Sequence, residues 1–108
     1  MNAENTQSQM RKGMLEYCIL LLLHSRPCYA NDIIRQLKEA EMIVVEGTLY
    51  PLLNRLKKDG ALQYEWQESS QGPPRKYYAL TPEGEEALRL LDQSWAQLAR
   101  TVQFLHNL

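Results

Sequence analysis

The side chains of this 108-residue chain that could do chemistry form two groups, and both suit contact with a polyanion better than catalysis. The first lies in a helical segment that starts near Glu46 to Thr48 and stops at Gly60. Leu49, Leu52, Leu53 and Leu56 point one way around it, while Gly47, Pro51, Asn54 and Lys58 point the other, flanked by Tyr50 and Arg55. An asparagine can hydrogen-bond a base edge, lysine and arginine reach guanine or phosphate, and a tyrosine hydroxyl can donate to phosphate. Small residues at the helix start, Gly47 and Thr48, let backbone N–H groups approach an anion. The same set also suits an ordinary solvated face. The second group is Gly72-Pro73-Pro74-Arg75-Lys76, two adjacent cations beside a stiff turn. Such a pair fits phosphate or minor-groove contact, or else a merely solubilising turn.

Other reactive side chains do not assemble. Cys18, His24 and Cys28 lack a fourth ligand at metal spacing. Cys28 beside Arg26 is the better placed for a thiol switch, but free cysteine usually behaves as a small buried hydrophobe. His24 and His106 have no nucleophile or carboxylate in a catalytic pattern, and there is no glycine-rich phosphate loop. The expectation is a protein that is not an enzyme and carries neither metal nor cofactor.

Composition narrows the class further. With 44% hydrophobic and 23% charged residues the chain reads as one soluble globular domain. Its net charge of −1 supplies no global basic field, so any nucleic-acid surface has to be local. Residues 1–80 hold ten cations and nine anions, whereas residues 81–108 hold two and four, which places the acidity in the last segment. Two cysteines are too few for a disulfide framework, and a reducing cytoplasm is the expected compartment. The longest apolar run, Tyr17 to Leu23, is far short of the roughly 20 residues of a membrane span. It follows Arg11 and Lys12 as a signal peptide would, but Glu16 breaks it and His24-Ser25-Arg26-Pro27 offers no small-residue cleavage site. A buried helix and no membrane association are expected.

The elements that must position these side chains follow from periodicity. Residues 1–9 are polar without a period and are expected to be loose or weakly helical. Residues 10–24 read as a helix, apolar on nearly every side at Leu20 to Leu23, which hints at a partner subunit. A second helix from about Tyr29 to Ala40 carries Ala30, Ile33, Ile34 and Leu37 on one face. The third contains Pro51 in or next to its first turn, where a missing N–H costs little. After Gly60 the period becomes two: Leu62, Tyr64 and Trp66 alternate with Gln63, Glu65 and Gln67 in a strand with one buried face. Glu68 to Pro74 reads as a polar turn and Arg75 to Leu80 as a second strand. Thr81 caps a final helix with Pro82 at its first position and Glu83, Glu85 and Glu86 near its positive end. Leu88, Leu91, Trp95, Leu98, Val102 and Leu105 repeat along it at intervals of three and four, a seam that pairs helices. From Pro82 to His106 it would be roughly 37 Å long, so its end must project and pack on something, most simply a second copy of the chain.

Three helices, a two-stranded hairpin and a long final helix describe a mainly α fold with a small β-hairpin (α+β), a winged helix-turn-helix. Residues 1–81 would form the DNA-binding domain. Residues 82–108 would form a dimerisation helix that packs with the partner's N-terminal helix, residues 10–24. The motifs Glu46-Gly47-Thr48-Leu49-Tyr50-Pro51, Leu56-Lys57-Lys58-Asp59-Gly60, Gly72-Pro73-Pro74-Arg75-Lys76-Tyr77-Tyr78 and Leu80-Thr81-Pro82-Glu83-Gly84 closely resemble the PadR family of bacterial transcriptional regulators. The resemblance is to the short subtype with a single C-terminal helix and runs from Met14 to Leu108. It implies a homodimeric repressor of a neighbouring gene, bound to a palindromic double-stranded DNA operator and released by a small molecule. The family's recognition-helix role falls on Tyr50, Pro51, Asn54 and Lys58, and its wing role on Arg75 and Lys76. Ser94-Trp95 matches the position where multidrug-sensing short members pair two tryptophans to sandwich planar aromatic effectors. Asp92, Leu98 and Ala99 depart from the pocket lining of those members. Trp95 therefore either lines such a slot or packs as dimer core. The alternative for the whole chain is a winged-helix protein-interaction module without sequence-specific DNA binding.

Overall fold

A computed structural model describes residues 1–108. Its elements are α1 (Ala3–Ser25), β1 (Cys28–Tyr29), α2 (Ala30–Glu39), α3 (Glu46–Lys58), β2 (Leu62–Ser69), β3 (Gly72–Leu80) and α4 (Pro82–His106). The start of α1 takes the helical of the two forms expected for residues 1–9. Asn2 caps it, its Oδ1 accepting from the N–H groups of Glu4 at 2.9 Å and Asn5 at 3.2 Å. With that cap and no glycine or proline before Gly13, the residues expected to be loose or weakly helical continue the helix. All of Met1 to Gly13 is nevertheless exposed, so this half of α1 has no packing partner within the chain. Arg26, extended ahead of Pro27, ends the helix.

Two helix ends share one geometry. After α2, Met42 N–H donates to Leu37 O at 2.8 Å and Glu41 N–H to Lys38 O at 2.9 Å. After α3, Ala61 N–H donates to Leu56 O and Gly60 N–H to Lys57 O, both at 3.0 Å. Both are Schellman motifs, which need a left-handed residue just past the cap. Gly60 (φ 84°) fills that place without strain, whereas at the other helix end it falls to Glu41 (φ 63°). The next connection is equally tight. Thr81 donates its N–H to Ala61 O at 3.1 Å, and its Oγ1 accepts from Gly84 N–H at 3.0 Å. A Cβ on Gly84 would lie 2.1 Å from Ala61 O, so this first turn of α4 can seat only with glycine there.

Three strands form where two were expected. β1 pairs antiparallel with β3, Cys28 opposite Tyr78 and Tyr29 opposite Tyr77, and the sheet order is β1-β3-β2. Two residues are too few for alternation to show in the sequence, and α2 accordingly begins at Ala30. The hairpin turn is also shorter than expected: it is made by Ser70 and Gln71, and Gly72-Pro73-Pro74 already belongs to β3. The ladder is irregular between Gln67 and Ser69, which is where strand prolines are tolerated. Along β2 burial fades outward, from Leu62 (2% exposed) through half-buried Tyr64 to Trp66 (62% exposed). The expected buried face is therefore buried only at its base, where helices lie beneath it. The core joins Ile19, Leu20 and Leu23 of α1 to Ile33 and Leu37, to Leu49, Leu53 and Leu56, and to Leu62, Tyr78 and Leu88.

Candidate nucleic-acid interface

Burial of Leu49, Leu53 and Leu56 fixes the rotation of α3 and turns its other side to solvent. Gly47, Thr48, Tyr50, Pro51, Asn54, Arg55 and Lys58 are all exposed. Val45, the N-cap, offers no side-chain acceptor, and the N–H groups of Thr48 and Leu49 bond to its carbonyl at 3.0 Å. The N–H groups of Glu46 and Gly47 are thus left for an external acceptor. A Cβ on Gly47 would meet nothing within 4 Å, so the fold itself does not require glycine there. Pro51 is the sixth residue of the helix and removes the bond that Gly47 O would otherwise accept. Arg55 stands apart from the rest, because its Nη2 lies 2.8 Å from Glu16 Oε1 and ties α3 to α1.

Arg75 and Lys76, adjacent on β3, leave opposite faces of the sheet and each rests on aromatic rings. The Arg75 guanidinium lies 4.0 Å from the centroid of Tyr29, whose hydroxyl donates to Gln67 Oε1 at 2.6 Å. Lys76 Nζ is 4.5 Å from the centroid of Tyr64 and 5.5 Å from that of Trp66, while Lys57 of α3 approaches Tyr64 at 5.3 Å. The sequence assigns Tyr64 and Trp66 only to a strand face and gives Tyr29 and Lys57 no role beside the wing cations, because these contacts depend on a strand register that the turn position hides. Between this hairpin and α3 opens a cleft of about 260 Å³ that includes Tyr50, Trp66, Pro74 and Lys76, with Tyr78 buried at its floor. Burial pushes the Tyr78 hydroxyl above its ordinary pKa, so the floor is neutral.

The reactive groups read singly from the sequence do not converge. Cys28 is buried, and burial pushes both its thiol and that of Cys18 up, the opposite of a reactive thiolate. His24 turns to α4, its Nδ1 2.7 Å from Glu85 Oε2. Along the final helix, Leu88 is buried in the chain's own core and Leu91 is half-buried, whereas Trp95, Leu98, Val102 and Leu105 are 48 to 58% exposed. No helix is long and apolar enough to cross a membrane.

Helices α1–α3 under a three-stranded antiparallel sheet, with a hairpin beside the open face of α3, make a winged helix-turn-helix protein. The chain belongs to the PadR-like family of transcriptional regulators, whose pattern matches residues 19–90. It is similar to a PadR-like transcription factor from Bacteroides fragilis, with 66% identity, a TM-score of 0.80 and coverage of 94% of this chain and 98% of that one. A PadR-like transcriptional regulator from Bacillus cereus is 39% identical with a TM-score of 0.79, covering 90% of this chain and 95% of that one. The transcriptional regulator Rv3488 of Mycobacterium tuberculosis is 44% identical over 59 residues, 55% of this chain and 54% of that protein. The family and these neighbours are transcriptional regulators, not enzymes.

Proposed function

We propose that the chain is a cytoplasmic DNA-binding repressor of a neighbouring gene, acting as a homodimer on a palindromic operator. The observation that carries this reading is the open side of α3. The side chains of Tyr50, Asn54 and Lys58 make no hydrogen bond or ion pair within the chain, and Tyr50 shares a cleft with a wing whose cations are held in place by aromatic rings. Asn54 reads base edges, Tyr50 and Lys58 take phosphates, and the free N–H groups at the start of α3 receive another. The tie from Arg55 to Glu16 is a solvent-exposed pair worth about 0–1 kcal/mol, weak enough for a phosphate to compete with it.

Dimerisation falls to the uncovered stretch of α4 from Leu91 onward with the partner's N-terminal helix. A planar aromatic effector would enter between the two copies of Trp95 and shift the spacing of the paired recognition helices. The test is a binding shift against the DNA upstream of the chain's own gene at two salt concentrations. Retarded complexes that weaken steeply with salt are expected. Absence of a complex at low salt would favour the protein-interaction module instead.

A further inference from the structure

In the function proposed above Trp66 only helps to hold Lys76, and its exposed ring is free to make a contact of its own. It is the largest side chain on β2 and is 62% exposed. It is also held in place: its ring meets Tyr64 edge-on, with centroids 6.0 Å apart and planes at 89°, and it sits opposite Lys76 in the strand ladder. The cleft of about 260 Å³ that it borders brings together the Trp66 indole, Lys76, Tyr50, Arg75 and Tyr29 over the neutral, buried Tyr78. A free inorganic anion would have no use for the indole. An apolar peptide would leave the ammonium desolvated and unpaired. A deoxyribose-phosphate unit has both parts, an apolar sugar edge next to an anion, at the spacing of one nucleotide.

We infer that this cleft seats one deoxyribose-phosphate unit of duplex DNA, with Trp66 packed on the sugar and Lys76 and the Tyr50 hydroxyl on the phosphate. The inference rests on the DNA-binding reading and adds to it a contact that touches no base. Trp66 then sets affinity for any duplex and carries no operator preference. It also fixes how far the wing lies from α3 on the backbone, because the cleft holds a single sugar between them.

The test uses the full chain grown with 5-fluorotryptophan, which gives one fluorine resonance for each of its two tryptophans. Trp66 is the resonance missing from Trp66→Phe. In the free protein it should show a solvent-isotope shift, the mark of exposure. On titration with a mixed-sequence duplex at low salt it should move and lose that shift. Trp66→Ala should bind about tenfold more weakly to mixed-sequence and upstream duplexes alike, the scale of one lost backbone contact. Its thermal midpoint should stay near that of the wild type, since Trp66 lies outside the core. Duplex binding, seen independently by anisotropy of labelled DNA, with an unmoved and still exposed Trp66 would overturn the inference and leave the DNA-binding reading standing. A Trp66 resonance shielded before DNA is added would also overturn it, by showing that a partner subunit covers the ring. Failure of any duplex to bind by anisotropy would overturn the DNA-binding reading and the inference together.

Discussion

Asn54 on α3 and the Arg75-Lys76 pair on β3 carry different parts of the proposed contact, so their loss should look different. Asn54→Ala should cost about 1–3 kcal/mol on the operator and little on mixed-sequence DNA, because a base-edge contact is lost. Replacing Arg75 and Lys76 together by alanine should weaken binding to every sequence and flatten the salt dependence by about one to two units. Equal losses on operator and mixed DNA in Asn54→Ala would remove Asn54 from base readout. Gly47 allows a sharper separation of fold from function. Nothing within 4 Å opposes a Cβ there, and alanine favours helix by up to about 1 kcal/mol. Gly47→Ala should therefore leave the thermal midpoint unchanged or raised while weakening DNA binding, since the methyl group stands where a phosphate meets the N–H groups. A variant that gained stability and bound DNA as before would show that the start of α3 does not touch the backbone. Gly47 and Asn54 were legible in the sequence because helical angle separates them from the leucine stripe, and Arg75 and Lys76 because two adjacent cations follow Gly72-Pro73-Pro74. The tie from Arg55 to Glu16 was not, since it joins side chains 39 residues apart and depends on how α3 crosses α1.

Among the elements, the boundaries fixed by proline, threonine and glycine were legible, and those fixed by backbone geometry alone were not. Gly60 and Thr81-Pro82 mark their helix ends by residue type. The end of α2 is built on the same Schellman motif but carries Glu41 in the left-handed position, so it reads as plain linker. Left-handed geometry costs a residue with a Cβ about 1–2 kcal/mol, part of which glycine returns through its looser unfolded chain. Glu41→Gly should raise stability by about 1 kcal/mol in urea unfolding, and a loss instead would mean that the Glu41 side chain does something beyond this turn. The packing of α1 on α4 offers a second check, by pH. The Tyr17 hydroxyl donates to Asp92 Oδ1, and that bond, then burial, then the charge of Asp92 push its pKa from 10.0 up to about 12. The folded chain thus holds this proton more tightly than the unfolded one. The contribution is fully present below pH 10 and is lost as pH rises from 10 to about 12. Urea midpoints at fixed protein concentration should place the wild type above Tyr17→Phe at pH 9, with the gap closing through that window. A gap that stayed constant with pH would remove the hydrogen bond as its source.

At the scale of the whole molecule, the chain has more surface than its mass explains. A compact monomer of 12.6 kDa exposes roughly 6,200 Å², whereas this one exposes 7933 Å². Its radius of gyration is 15.8 Å against roughly 13 Å for a compact chain of this length, and its longest dimension is 57 Å. The excess comes from the ends of two helices, the exposed start of α1 and the stretch of α4 beyond Leu91. Trp95, Leu98, Val102, Phe104 and Leu105 on that stretch are all about half-exposed or more. Fully burying a large apolar side chain contributes about 1.5–3 kcal/mol. Seating five of them on a second copy is therefore comparable with the roughly 4–15 kcal/mol that association costs. Leu98 is the informative position. It lies midway along the exposed seam, is 58% exposed, and makes no part of the chain's own core. Leu98→Asp would put an uncompensated carboxylate into the paired helices while removing nothing from the folded subunit. The variant should keep the wild type's helical circular dichroism, sediment as a monomer at low micromolar concentration, and lose far more affinity for a two-half-site operator than for a single half-site. A Leu98→Asp protein that still sedimented as a dimer would move the interface off this seam and leave the free half of α4 to some other partner.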